Sequence, residues 1–173
     1  WGQLARDRYV GYIRAAHLAP GAPPEPTHKV AAPAALVYAE PSARAPMLTT
    51  LLLGSRFSAG AEADGFLELE SGGFVCQKLV EPVDATERDF VMTAERLRLA
   101  PYLWGGKSIR GLDCSALVQL SLDRAGISCP RDTDMQRAEL SGDLDFDPDA
   151  LPPLERGDLV YWPDHVAMMI DAT

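Results

Sequence analysis

One cysteine stands where a glycine-rich loop gives way to an apolar run: Gly105-Gly106, then Gly111-Leu112-Asp113-Cys114-Ser115-Ala116-Leu117-Val118. The stretch from Cys114 to Ala125 is expected to be a buried helix stopped by Gly126. Backbone N–H groups gather at a helix start and make it positive, which favours a thiolate at Cys114. The preceding glycines let a substrate backbone approach the sulfur closely. A thiolate so placed is the nucleophile that covalent cysteine catalysis needs.

Such a nucleophile needs a base, and histidine is the usual one near neutral pH. Of the three histidines, His17 and His28 lie in or beside an Ala/Pro-rich stretch and read as solvated. His165 heads the run His165-Val-Ala-Met-Met-Ile170, just after Leu159-Val-Tyr-Trp162 and a Pro163-Asp164 connection. That is a strand start able to aim an imidazole at a helix terminus. Cys76 and Cys129 read as inert packing groups, and Trp104 as an ordinary core aromatic. Asp113 has the position and chemistry of a helix N-cap. The acidic run Asp143 to Asp149 imitates a calcium loop but has Pro148 where glycine is required, so it reads as solvated. No zinc-ligand spacing, serine elbow or phosphate loop occurs, and no metal or cofactor is expected.

The elements that must position these groups follow from the pattern. Asp84 with Glu87 suggests a capping pair opening a helix that ends before Pro101. Thr133 with Gln136 opens another, reaching Leu140. Two strands close the chain, so residues 83–173 are expected to be an α+β domain. Upstream, Leu36–Tyr38, Met47–Leu53, Phe66–Leu69 and Phe74–Leu79 are short strand candidates separated by turn residues, suggesting a small, partly open barrel over residues 30–82. Trp1–Leu4 with Tyr9–Ile13 repeats the hairpin pattern of the last two. Residues 1–20 therefore read as the C-terminal fragment of a first such unit, and 21–29 as a linker stiffened by proline. The chain opens at Trp1, so it is expected to lack its own N-terminus.

The formal charge of −9, from 25 acidic and 16 basic residues, speaks against nucleic acid and anionic membrane as partners. No apolar run approaches the ~18 residues of a membrane helix. Three cysteines cannot all pair within one chain, which fits a reducing compartment or tolerance of one reactive thiol.

Together the motifs resemble the NlpC-type family of papain-like cell-wall cysteine peptidases. They are Tyr102-x-Trp104-Gly105-Gly106, Asp113-Cys114-Ser115, Pro130-Arg131 with Gln136, and Gly157-Asp158-Leu159-Val160 before His165. Residues 30–82, ending in Gly72-Gly73-Phe74-Val75 and Leu79, resemble a bacterial SH3 domain. The resemblance implies a papain-like catalytic domain preceded by small all-β SH3-like barrels packed on it, with Cys114 and His165 as the catalytic pair. Arg131-Asp132 resembles the branch that cuts between γ-D-glutamate and a diamino acid. By that analogy Asp113, Ser115 and Asp132, with Tyr102 nearby, hold the free ammonium group of an N-terminal L-alanine in a murein peptide, and Tyr9 closes the pocket. Recycling of such peptides would place the protein in the cytoplasm, with export to the periplasm or cell wall as the alternative. Other readings are a cell-wall amidase of different bond specificity and an inactive wall-binding module. The polar group that should orient the imidazole is missing from the pattern. Asp171 is six residues along the strand from His165, about 20 Å at ~3.3 Å per residue, and the catalytic domain is expected to be truncated at its C-terminus.

Overall fold

The computed structural model describes residues 1–18, 20–22, 24–140, 142 and 152–172. The acidic run Asp143 to Asp149 lies outside the described residues. Strands β1 (Gly2–Gln3), β2 (Val10–Gly11), β3 (His28–Val30), β4 (Ala34–Tyr38), β5 (Met47–Leu52), β6 (Arg56–Phe57), β7 (Ala59–Ala63), β8 (Phe66–Leu69), β9 (Phe74–Cys76) and β10 (Val80–Pro82) come first. Helix α1 (Val91–Leu97), strands β11 (Lys107–Ser108) and β12 (Gly111–Leu112), helices α2 (Cys114–Arg124) and α3 (Thr133–Leu140), and strands β13 (Leu159–Trp162) and β14 (His165–Met168) follow. The chain forms two compact units: residues 20–86 with 108–110, and residues 1–19, 87–107 and 111–173.

The all-β unit is built from two antiparallel sheets, β5-β4-β9-β8-β7 and β10-β3-β6. Alternation sets its inside: Ala35 and Val37 are buried while Leu36 between them is exposed, and Leu67 and Leu69 are buried around exposed Glu68. These four pack with Val30 and Val75 into one core. Each buried valine or leucine stabilises by roughly 1.5–3 kcal/mol relative to an exposed one. Among the described residues no pairing joins the edge strands β5 and β7. The expectation here is a partly open barrel; the described residues form two sheets and no closed barrel.

In the second unit, α2 packs against α1, α3 and β14. Val118 and Leu122 of α2 share a core with Cys129 and Val166, and Phe90, Cys114, Leu159 and Tyr161 pack at its edge. Helix α1 starts at Val91, later than Asp84 suggests, because the capping work is done elsewhere. Asp89 Oδ1 accepts from the Val91 N–H at 3.0 Å. Glu87 accepts from Thr93 Oγ1 at 2.6 Å and from Arg96 at 2.7 and 3.2 Å, and donates its N–H to the Arg124 carbonyl at 2.8 Å. It thus ties the chain to α1 and α2 instead of opening a helix. The end of α2 is as expected: Gly126 turns left-handed at φ 78, and the Ile127 N–H reaches back to the Leu122 carbonyl at 2.9 Å.

Strands β13 and β14 form a hairpin whose last facing pair, Trp162 and His165, closes on Pro163-Asp164. Asp164 takes the left-handed conformation the turn demands, at φ 62. At the other end of the sequence, β1 pairs with β2, and Leu4 and Tyr9 close the loop between them. This hairpin folds with the helical unit.

Candidate active site

Cys114 is the first residue of α2 and is half-buried. Asp113 caps the helix from an extended backbone, accepting the Ala116 N–H at 2.8 Å on Oδ1. The thiol lies 3.8 Å from Thr133 Oγ1, at the start of α3. It opens onto a cleft of about 1010 Å³, large enough for a small peptide. Tyr9, Tyr102, Trp104, Asp113, Cys114, Ser115, Asp132 and Thr133 line this cleft, as do Trp162, Pro163 and Asp164 of the terminal hairpin turn. Of the seven residues expected in the site, six line this cleft and His165 does not.

Cys114, Tyr102, Asp113, Ser115, Asp132 and Tyr9 share the one cleft. His165 is half-buried immediately after Asp164, with its ring tilted against that of Trp162 at 4.9 Å between centroids. Val166, the next residue, packs with Val118 of α2 in the core that Cys114 edges. The histidine thus adjoins the cleft wall on the strand against which the cysteine's helix packs. Among the described residues no side chain hydrogen-bonds the imidazole, so an orienting group is not found there.

Asp113 and Ser115 line the cleft and are also held by bonds inside the protein. The Asp113 carboxylate accepts from Arg131 Nη1 at 3.0 Å and Nη2 at 2.7 Å, from the Gly105 N–H at 2.9 Å, and from Ser115 Oγ at 3.2 Å, besides the Ala116 amide. Ser115 Oγ in turn accepts from Arg131 Nη1 at 2.9 Å and is buried. Burial alone would raise the carboxyl's pKa, but Arg131 and the two amides outweigh it and hold it below the ordinary carboxylate value. Asp132 has no such set of partners among the described residues, and it lines the cleft together with Asp7, Asp134 and Asp164.

Trp104 corrects its expected place in the core. It is 78% exposed and stands on the cleft wall, as does Tyr102 at 60%. The Tyr102 phenol is shifted up by desolvation and then by the neighbouring Cys114 and Asp113, with a hydrogen bond to the thiol contributing. Cys129 is buried, and burial with Glu139 pushes its thiol up to about 12; Cys76 is a free thiol in β9 of the other unit.

Arg131, matched as part of a motif, and Gln136, read with Thr133 as a capping pair, both act as supports. Arg131 is visible only as part of a motif, yet it joins the Gly105-Gly106 loop to the helix start, also donating to the Gly106 carbonyl at 3.4 Å. Gln136, fully buried, donates through Nε2 to the Ser115 and Pro130 carbonyls, both at 2.9 Å, and so pins α3 to the first turn of α2. Among the described residues there is no cluster that could hold a metal ion, and no helix is long and apolar enough to cross a membrane.

Residues 99–173 match the family model for the NlpC/P60 family. Among curated proteins, the chain is 27% identical to the gamma-D-glutamyl-L-lysine dipeptidyl-peptidase of Bacillus cereus (strain ATCC 10987 / NRS 248), over 84% of this chain and 47% of that protein. It is 32% identical over 89 residues to dipeptidyl-peptidase 6 of Lysinibacillus sphaericus, over 51% of this chain and 31% of that one. Among solved structures, an NlpC/P60 family protein from Bacillus cereus ATCC 10987 superposes with a TM-score of 0.64 at 25% identity, over 84% of this chain and 52% of the other. The chain spans about half the length, or less, of these relatives.

Proposed function

We propose, from the match of residues 99–173 to the NlpC/P60 family, that this chain is a cysteine peptidase acting on peptides derived from peptidoglycan. The carrying observation is the single cleft in which Cys114, at the positive end of α2, meets Tyr102, Asp132 and the hairpin turn that leads into His165. Cys114 attacks the amide carbonyl and the C–N bond breaks. His165 takes the thiol proton and returns it to the leaving amine, giving an acyl-thioester that water then hydrolyses. The amides of Cys114 and Ser115 precede the first helical hydrogen bond and are suited to stabilising the oxyanion.

The substrate we favour is a short peptide, L-Ala-γ-D-Glu-diamino acid, cut after the glutamate. The name of the Bacillus cereus relative points to the same class of bond. Asp132 would hold the N-terminal ammonium group through a charge-assisted hydrogen bond. The all-β unit, on this reading, is the SH3-like partner of the catalytic one.

Synthetic L-Ala-γ-D-Glu-L-Lys provides the test, with and without acetylation of its N-terminus. Release of free lysine from the unmodified peptide alone, abolished by Cys114→Ala, is the expected result. Equal turnover of both peptides would overturn the ammonium site, and turnover surviving Cys114→Ala would overturn the mechanism.

A further inference from the structure

The hairpin β1–β2 brings a wall of the cleft from the far end of the sequence. Its loop is closed by the Leu4 N–H on the Tyr9 carbonyl at 2.8 Å and the Arg8 N–H on the Leu4 carbonyl at 3.0 Å. One carboxylate then does two things. Asp7 Oδ1 accepts the Tyr9 N–H at 3.1 Å, and Oδ2 accepts from Gln119 Nε2 at 3.2 Å and lies 3.9 Å from Lys107 Nζ. Gln119 is buried and itself anchored, its Nε2 also donating to the Cys129 carbonyl at 2.9 Å. Beside this contact Arg6 pairs with Asp123, one helical turn beyond Gln119, with Nε 3.2 Å from Oδ1.

Ser115, Gln119 and Asp123 recur every four residues, so the hairpin loop lies along the helix face that starts beside the nucleophile. The two anchors are unequal. Arg6 is 40% exposed, and a solvated pair contributes little. The Asp7 side chain is only 8% exposed, and its loss removes the acceptor of the Tyr9 N–H and one of the two acceptors of the buried Gln119 Nε2. The same carboxylate touches Tyr9, which lines the cleft together with Leu4 and Asp7 itself.

We propose that Asp7 is a positioning residue that sets substrate selectivity, clamping the Tyr9 backbone to α2 so that the tyrosine forms a fixed end wall of the cleft. This rests on the reading that the cleft takes a peptide with a free N-terminus. Tyr9 and Asp132 line the same cleft, so a tyrosine held still would fix the space beside the carboxylate to which this reading gives the ammonium group. Asparagine at this position keeps an acceptor for the Tyr9 N–H but loses the charge facing Lys107, whereas alanine loses both.

The test compares turnover of L-Ala-γ-D-Glu-L-Lys and its N-acetyl form by the wild-type chain, Asp7→Ala and Asp7→Asn. Asp7→Ala should lower kcat/KM for the free peptide roughly tenfold or more, the scale of one or two lost hydrogen bonds, mainly through KM. Turnover of the acetylated peptide should not fall, so the ratio between the two collapses. Asp7→Asn should give a ratio between the other two and, if the alanine variant does not fold, decides the matter alone. Equal losses on both peptides, or an unchanged ratio in Asp7→Asn, would show a merely structural contact and overturn the proposal. A wild-type chain that does not discriminate at all would overturn the substrate reading as well, and so is distinguishable.

Discussion

Arg131 lays its guanidinium across the carboxylate of Asp113, with Nη1 3.0 Å from one oxygen and Nη2 2.7 Å from the other. Both side chains are about nine-tenths buried. Lysine can supply the charge but not the planar fork. Arg131→Lys is therefore expected to cost about 2 kcal/mol of stability, within the range for a disrupted buried pair. Urea unfolding of the two proteins measures it, and an unchanged midpoint would show the fork to be dispensable.

The same pair sets an acid limit. Asp113 has a folded-state pKa below its unfolded value of about 3.9, so its stabilisation is complete above that pH and is lost as pH falls through the folded value. Stability should fall below about pH 4, and Asp113→Asn should remove that part of the fall. Melting temperatures between pH 2.5 and 6 report it directly.

For Asp132 the expected loss lies in transition-state binding. Asp132→Ala should reduce kcat/KM on the free tripeptide by about 1.5–3 kcal/mol, the scale of a hydrogen bond to a charged group. Unlike Asp113 it is not built into the scaffold, so the melting temperature should barely move. An unaltered kcat/KM would remove it from the site.

The three thiols should separate by reactivity. Cys114 faces the cleft, whereas Cys129 is buried with its thiol pushed up to about 12. Iodoacetamide at pH 7 should label Cys114 first and leave Cys129 untouched in the folded protein, as peptide mapping can establish. Fast labelling of Cys129 would contradict the packing.

Gly106 has no room for a side chain where a Cβ would project. A Cβ there would lie 2.5 Å from the Gly111 carbonyl oxygen and 2.9 Å from that of Leu103, both backbone atoms. Gly106→Ala is expected to cost roughly 1–3 kcal/mol through forced backbone shifts. Because Arg131 and Asp113 also grip this loop, activity should fall further than stability alone explains. A variant with normal stability and turnover would refute the account.

Much of the chemistry was legible because it sits on local signals. The glycine loop, the N-cap and the Gly126 stop delimit α2 to within a residue of where it lies, and Thr133 with Gln136 marks α3. What stayed hidden depends on partners distant in sequence. The grip of Arg131 on Asp113 shows only once the two are brought together, and Trp104 looks like core until its surroundings are known. Strand β7, Ala-Gly-Ala-Glu-Ala, has little strand preference of its own and exists because β8 pairs with it. Glu87 resembles a capping residue, yet tertiary ties to Thr93, Arg96 and Arg124 claim it.

Asp7 and Gln119 meet across 112 positions of sequence. The hairpin can form on its own in microseconds and the helix faster still, but joining them must bear the entropy of closing a very long loop. That docking is held by a few polar contacts and is expected to open before the apolar core does. If the proposed peptidase reading holds, gentle warming or dilute denaturant should blunt the preference for a free N-terminus before Cys114 loses its reactivity.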